Sequence, residues 1–227
     1  MSINKKTCVI IPAFNEAKNI AQVIDNLKKN NFENIIVIND NSSDETESIA
    51  LKKNVTVLNH KINLGMGAAT QTGIEFALKK KFQFFLTIDA DGQQSVVDLK
   101  KILISLQKYN CVIGSRFLQK NKIPFFRRIA NKIANILTGC FFGVWVTDSQ
   151  SGLRGFTRKV AKKLNLYGGG FEFCSDFIRE VNALNFKIHE VPISVVYTKT
   201  LLKKGQHFAE GLKTFGKLFL KAITRLD

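Results

Sequence analysis

Asp89 and Asp91, two carboxylates one residue apart, directly follow an apolar run that ends at Ile88. From a turn, both can reach one hard cation, and hard divalent ions select oxygen ligands. Magnesium takes one or two carboxylates and completes its shell with water and substrate phosphates. Gln93 adds a neutral oxygen two residues further on. The same residues also fit a plain surface turn, with Ser95 and Asp98 forming a capping box for the next helix. Position favours the metal, because the pair ends the fourth strand of an alternating pattern.

That pattern runs through the first 115 residues. Strands are expected over Thr7–Ile11, Asn34–Asn39, Val55–Asn59, Gln83–Ile88 and Cys111–Gly114. Helical periodicity lies between them, near Glu16–Lys29, Asp44–Lys53, Gly67–Lys80 and Ser95–Lys108. Strands separated by helices of this length make an α/β fold with a mostly parallel sheet covered on both faces. Ligands of such sheets bind beyond the carboxyl ends of the strands. Four polar loops converge there: Pro12 to Glu16, Asn39 to Asp44, His60 to Gly67, and Asp89 to Gln93. Gly65 and Gly67 suit either a turn entering a helix or a loop that approaches a ligand, and Asn63 is a turn former. His60 has no partner in sequence and reads as structural or solvated. Beyond residue 115 the alternation breaks down.

The motifs resemble family 2 glycosyltransferases. The resemblance rests on Val9 to Glu16 (VIIPAFNE), Ile38 to Thr46 (INDNSSDET), Asn63 to Ala69 (NLGMGAA), and Asp89 to Gln93 (DADGQ). Gly114-Ser115-Arg116 and Asp148 to Phe156 (DSQSGLRGF) complete it in order, over residues 7–197. It is nearest the dolichyl- or polyprenyl-phosphate hexosyltransferase branch. This implies a GT-A fold that transfers a sugar from a nucleotide donor with inversion, in a domain spanning 1–200 with a basic tail over 201–227. Pro12, Ala13, Asn15, Glu16, Asp40, Asn63, Gly67, Asp89 and Ala90 would bind the nucleotide. Asp89, Asp91 and Gln93 would gather Mg2+ or Mn2+ and the donor diphosphate, with Asp91, Arg116 and Arg154 catalytic. Arg116, Arg128, Gln150 and Ser151 would take the acceptor phosphate, and Glu172 is a further candidate. The chain departs from the family in reading Asn39-Asp40 where two acids are usual, and in lacking the proline that often follows DxDGQ. The lysine-rich Lys199 to Gln206 replaces the usual Gly-Ser-Lys run near the donor diphosphate.

Charge narrows the acceptor. The 227 residues carry a net +16. Residues 1–110 hold 14 Lys+Arg against 11 Asp+Glu, whereas residues 111–227 hold 20 against 7. The excess therefore sits in the second half, with two basic amphipathic stretches, Pro124 to Phe142 and Phe208 to Leu226. Helices of that design either lie in a membrane interface or pack their apolar face on the domain. A polyprenyl phosphate suits them, since its phosphate needs cations and its chain stays in the bilayer. A phosphate monoester is already nucleophilic near neutral pH, so no poised base is required. No segment reaches the roughly 20 apolar residues that span a bilayer, and the N-terminus lacks a signal-peptide core. The expectation is a cytoplasmic protein, peripheral on a membrane face. A saccharide acceptor and an inactive basic scaffold are the competing readings. Nucleic acid is not expected as a partner, because aromatics are not interleaved with the basic runs. The scattered Cys8, Cys111, Cys140 and Cys174 read as reduced thiols, with Cys8 and Cys111 buried.

Overall fold

Alternation along the first strand decides which layer each residue serves. In β1 (Thr7–Ala13), Val9, Ile11 and Ala13 enter one apolar cluster while Cys8 and Ile10 enter another, and all are buried. A strand covered on both faces reads as a continuous apolar run. The computed structural model describes residues 3–166 and 172–195, without the side chain of Glu172. β2 (Ile35–Asn39), β3 (Thr56–Asn59) and β4 (Phe84–Thr87) extend the parallel sheet, with β1 between β2 and β4 and β3 beyond β2.

The helices divide between the faces. α1 (Ile20–Lys29) buries Ile20, Val23, Ile24 and Leu27, the i, i+3, i+4, i+7 stripe of an amphipathic helix. It shares its cluster with α2 (Thr46–Lys52) through Ala50, and with α4 (Val96–Ser105) through Leu99 and Ile102. α3 (Met66–Leu78) covers the opposite face through Ala69, Ile74 and Ala77. Ser95 caps α4 without a side-chain bond, so the capping box of the surface-turn alternative does not form. Asp98 is buried, pairs with Lys101 at 2.6 Å and accepts the Ser194 backbone N–H at 2.6 Å.

The second half departs from simple alternation. β5 (Cys111–Ser115) does not lie beside β4, because β6 (Arg154–Thr157) is inserted antiparallel between them. β7 (Ile188–Pro192) then pairs parallel with β5, for the order β3-β2-β1-β4-β6-β5-β7. β6 carries no period-2 signal, having only four residues with a glycine and a cation among them. α5 (Phe125–Phe142) matches the expected amphipathic stretch, whereas α6 (Arg158–Ala161) and α7 (Glu172–Ala183) cover the α3 face. The described chain ends at Val195, so Lys199 to Gln206 and the basic stretch 208–226 lie outside the described residues. All four cysteines are free. Burial pushes the Cys8 and Cys111 thiols up to about 12, while Cys140 is exposed.

Candidate active site

The loops after β1 and β2 are tied to each other, which brings Pro12, Ala13, Asn15, Glu16 and Asp40 to one edge. Asn15, at φ 55°, donates its backbone N–H to Ser42 Oγ at 3.0 Å and accepts the Ser43 N–H at 2.8 Å. The Glu16 N–H meets Thr46 Oγ1 at 2.8 Å, and the Ala17 N–H meets Asp44 at 3.0 Å. Asp40 is nearly inaccessible. Its carboxylate accepts the Leu64 N–H at 2.9 Å and the Gly65 N–H at 2.7 Å, and it contacts His60 Nδ1 at 2.7 Å. His60 is thus partnered, with Nε2 at 2.9 Å from Thr72 Oγ1. Asn63 donates to the Asp40 carbonyl at 3.3 Å, and Gly65 turns at φ 87° where a side chain would be strained. Asp40 therefore holds the Asn63–Gly65 turn through its carboxylate and its carbonyl.

The acidic pair stands where the strand position put it. Asp89, Ala90 and Asp91 follow β4, and each carboxylate is bracketed by an amide. Gln93 donates its backbone N–H to Asp91 Oδ1 at 2.9 Å and its side-chain NH2 to Oδ2 at 2.6 Å. Gln94 donates to Asp89 Oδ2 at 2.6 Å and accepts the Asp89 N–H at 3.2 Å. Gln93, expected as an oxygen ligand, thus presents its amide nitrogen and holds Asp91. Gln94 has one signal in the sequence, a second amide directly beside Gln93.

The backbone under Asp89 comes from the turn before β6. A Cβ on Gly152 would sit 2.1 Å from Asp89 Oδ2 and 2.3 Å from Oδ1. The carboxylate packs directly on this glycine, whose carbonyl also accepts the buried Thr87 hydroxyl at 3.0 Å. Burial and the neighbouring Asp91 carboxylate raise the Asp89 acid to about 7, while Arg154, Arg116 and the Gln94 amide pull the other way. Two half-buried carboxylates that penalise each other's charge form a hard-oxygen set suited to a divalent cation. Among the described residues no group of three His, Cys, Asp or Glu gathers as a metal cage.

The cleft is lined by Asp89, Asp91, Gln93, Gln94, Arg116, Gln150, Ser151 and Gly152, with Ile193 and Val195 at its side. Arg116 is clamped by Asp148, with Nε to Oδ2 at 2.7 Å and Nη2 to Oδ1 at 2.6 Å. Asp148 is wholly buried and also accepts the Arg116 backbone N–H at 2.9 Å. Sequence reading missed Asp148 as a partner, although an acid in so basic a half was its signal. Two arginines fall elsewhere than expected. Arg154 is 1% exposed, its guanidinium carbon 4.6 and 4.7 Å from the Phe173 and Phe177 ring centroids. Its Nε donates to the Ser151 carbonyl at 2.8 Å, and among the described residues neither terminal nitrogen has a hydrogen-bond partner. The pleat of β6 points it with Phe156 into the α7 layer, so it is not among the residues that line the cleft. Arg128 sits exposed on the first turn of α5 and does not line the cleft. The Glu172 side chain lies outside the described residues.

Comparison with known proteins bears on the family and the fold. The chain is 40% identical over 229 residues to an uncharacterised protein of Methanocaldococcus jannaschii, covering 97% of this chain and 94% of that one. It is 34% identical to the UDP-N-acetylglucosamine–dolichyl-phosphate N-acetylglucosaminyltransferase of Methanococcus voltae, over 96% of both chains. Among solved structures, glucosyl-3-phosphoglycerate synthase of M. tuberculosis superposes with a TM-score of 0.75 at 17% identity, covering 99% of this chain and 85% of that one. That likeness shows the fold. The model of the family described as "Glycosyl transferase family 2" matches residues 8–165, which hold the knitted loops, the acidic pair and its glycine seat, and the Arg116–Asp148 clamp. On the motifs, the sheet and the match together, this chain is a glycosyltransferase and belongs to family 2.

Proposed function

We propose that the protein transfers a hexose, with inversion, from a nucleotide sugar to a polyprenyl phosphate at a membrane surface. One observation carries this: a clamped guanidinium, Arg116, lines the same small cleft as the Asp89–Asp91 pair. The acidic side suits a metal-bound donor diphosphate, and the guanidinium suits a second phosphate, since its planar fork matches phosphate oxygens. The Methanococcus relative's dolichyl-phosphate acceptor supports the same reading. Asp89 and Asp91 would hold Mg2+ or Mn2+, which when bound stabilises charge developing on the leaving diphosphate. The chain's own residues fix the geometry. Gln93 and Gln94 hold the two carboxylates, Gly152 lets one sit against backbone, and Arg116 orients the attacking phosphate beside Gln150 and Ser151. No general base is needed, because the acceptor oxygen is already ionised.

Screening nucleotide sugars against thermal unfolding, with and without Mg2+ or Mn2+, tests the donor side. At a hundredfold excess over Kd, a true donor stabilises by about 2.7 kcal/mol, a rise of roughly 5–10 °C for a chain this size. The shift should require metal. No shift with any nucleotide sugar in either metal would sink the reading. Radiolabelled donor offered farnesyl phosphate or saccharides then decides the acceptor, and transfer to saccharide alone would overturn the lipid assignment.

The membrane side rests on α5. Phe125, Phe126, Ile129, Ile133 and Ile136 form one stripe along the helix and are all exposed, Phe126 at 83%. Only Thr138 and Gly139 of α5 are buried. Arg128 and Lys132 flank the stripe, and Trp145, 69% exposed, stacks beside Gly139. An apolar face edged by cations suits an anionic bilayer interface. No described helix is long and apolar enough to cross a membrane. Trp145 is the chain's single tryptophan and so an internal probe. Its emission should shift to the blue with anionic vesicles, and Phe125→Glu with Phe126→Glu should weaken binding by about tenfold or more. Unchanged emission, or equal binding by the double variant, would remove α5 from the interface.

A further inference from the structure

Glu190, on β7, lies outside every motif discussed above, yet its carboxylate collects donors from the corner that carries Asp148. It accepts the Thr147 N–H at 2.9 and 3.0 Å, the Thr147 hydroxyl at 2.7 Å and the Asp148 N–H at 3.3 Å. Because the Thr147 hydroxyl donates to Glu190, the Ser115 hydroxyl donates to the Thr147 oxygen, at 2.6 Å. From the other side α5 completes the brace. Asn135 donates to the Thr147 carbonyl at 2.6 Å and accepts the Ser149 N–H at 2.8 Å. Among the described residues no cation lies within ion-pair distance of Glu190, so a surface salt bridge does not account for it.

We propose that Glu190 is a positioning residue: it holds the Thr147–Asp148 corner, and through Asp148 it sets the aim of the Arg116 guanidinium. The inference rests on the acceptor role given to Arg116 above. Charge-assisted bonds to a carboxylate are the strong ones, and two backbone N–H groups and one hydroxyl converge on this side chain. Asp148 in turn holds Arg116 through two parallel bonds, which fixes direction as well as distance. The links run from β7 to the corner, from the corner to Asp148, and from Asp148 into the cleft. A loosened corner would leave the cation present but misdirected, and small misplacements cost heavily when two phosphates must meet in one geometry.

The test is a double-mutant cycle read by equilibrium binding of farnesyl phosphate to the full chain. Glu190→Gln should weaken that binding by about tenfold, as supporting residues around a site commonly do. The KM for farnesyl phosphate should rise with it, while the donor KM and the donor's metal-dependent thermal shift stay unchanged. In an Arg116→Ala background the same substitution should add less than about twofold, since residues acting through one another are not additive. An equal loss in both backgrounds, or no loss in the parent, overturns the proposal. If Glu190→Gln does not fold by circular dichroism, Thr147→Val removes one bond to Glu190 and is read by the same cycle. Farnesyl phosphate bound as tightly by Arg116→Ala as by the parent would sink the acceptor role of Arg116 and this inference together. Additive losses would sink this inference alone.

Discussion

Asp91→Ala is expected to leave a folded protein whose transfer activity falls by about a thousandfold or more. The carboxylate is half-buried in the cleft, with the Gln93 backbone and side chain both donating to it. Those donors fix two oxygens toward the place where a donor diphosphate and its cation would meet. Removing an electrostatic group that acts where charge develops costs roughly 10²–10³ in rate, and under the proposed role the change would also remove one of the two carboxylates that would hold the metal. Asp91 lies in a turn outside the apolar clusters, so the unfolding temperature should move little. Gln93→Ala makes the contrast. Its side chain lines the cleft but spends its amide nitrogen on Asp91, so the loss should be the roughly 10–100-fold typical of a supporting contact. Steady-state transfer at saturating metal measures both. Undiminished activity in Asp91→Ala would remove the metal role. A loss from Gln93→Ala as large as that from Asp91→Ala would make Gln93 a ligand after all.

Gly152→Ala is expected to damage the same site from below. The added methyl would overlap the Asp89 carboxylate at 2.1–2.4 Å, so Asp89 must swing out of its seat. It would lose its contact with Gln94 and its alignment with Asp91, and misplacement on that scale can cost roughly 10²-fold in kcat/KM. Overpacking a buried seat costs about 1–3 kcal/mol, which for a chain of this length lowers the unfolding temperature by several degrees. The signature is a raised metal requirement for donor protection in a protein that still folds. Activity within about threefold of the parent would show that Asp89 does not need this seat.

The first half of the fold was legible because each of its strands is short, apolar and followed by an amphipathic helix. The expected strand ends lie within two residues of β1 to β5, and the helices trim by a turn at most. The acidic pair was legible for the same reason, since strand ends in such sheets carry the ligand site. Other residues gave no such signal. His60 acquires Asp40 and Thr72 across the fold at sequence separations of 20 and 12. Glu190 meets Thr147 from 43 residues away. Neither partnership leaves a local pattern.

Taken alone, the residues and their order determined the family, the layered α/β arrangement, the metal-suited pair at the fourth strand and the basic character of the second half. Only the tertiary structure decided where the polar groups of the second half sit, among the described residues. The reason is the antiparallel strand between β4 and β5. Its register brings Gly152 under Asp89, and its pleat turns Arg154 inward between Phe173 and Phe177. The same long-range packing leaves Arg116, clamped by Asp148, as the arginine that lines the described cleft. Side-chain type and spacing state which chemistry is available. Which of two arginines in matching motifs faces the cleft depends on strand order and register, set by contacts between distant parts of the chain.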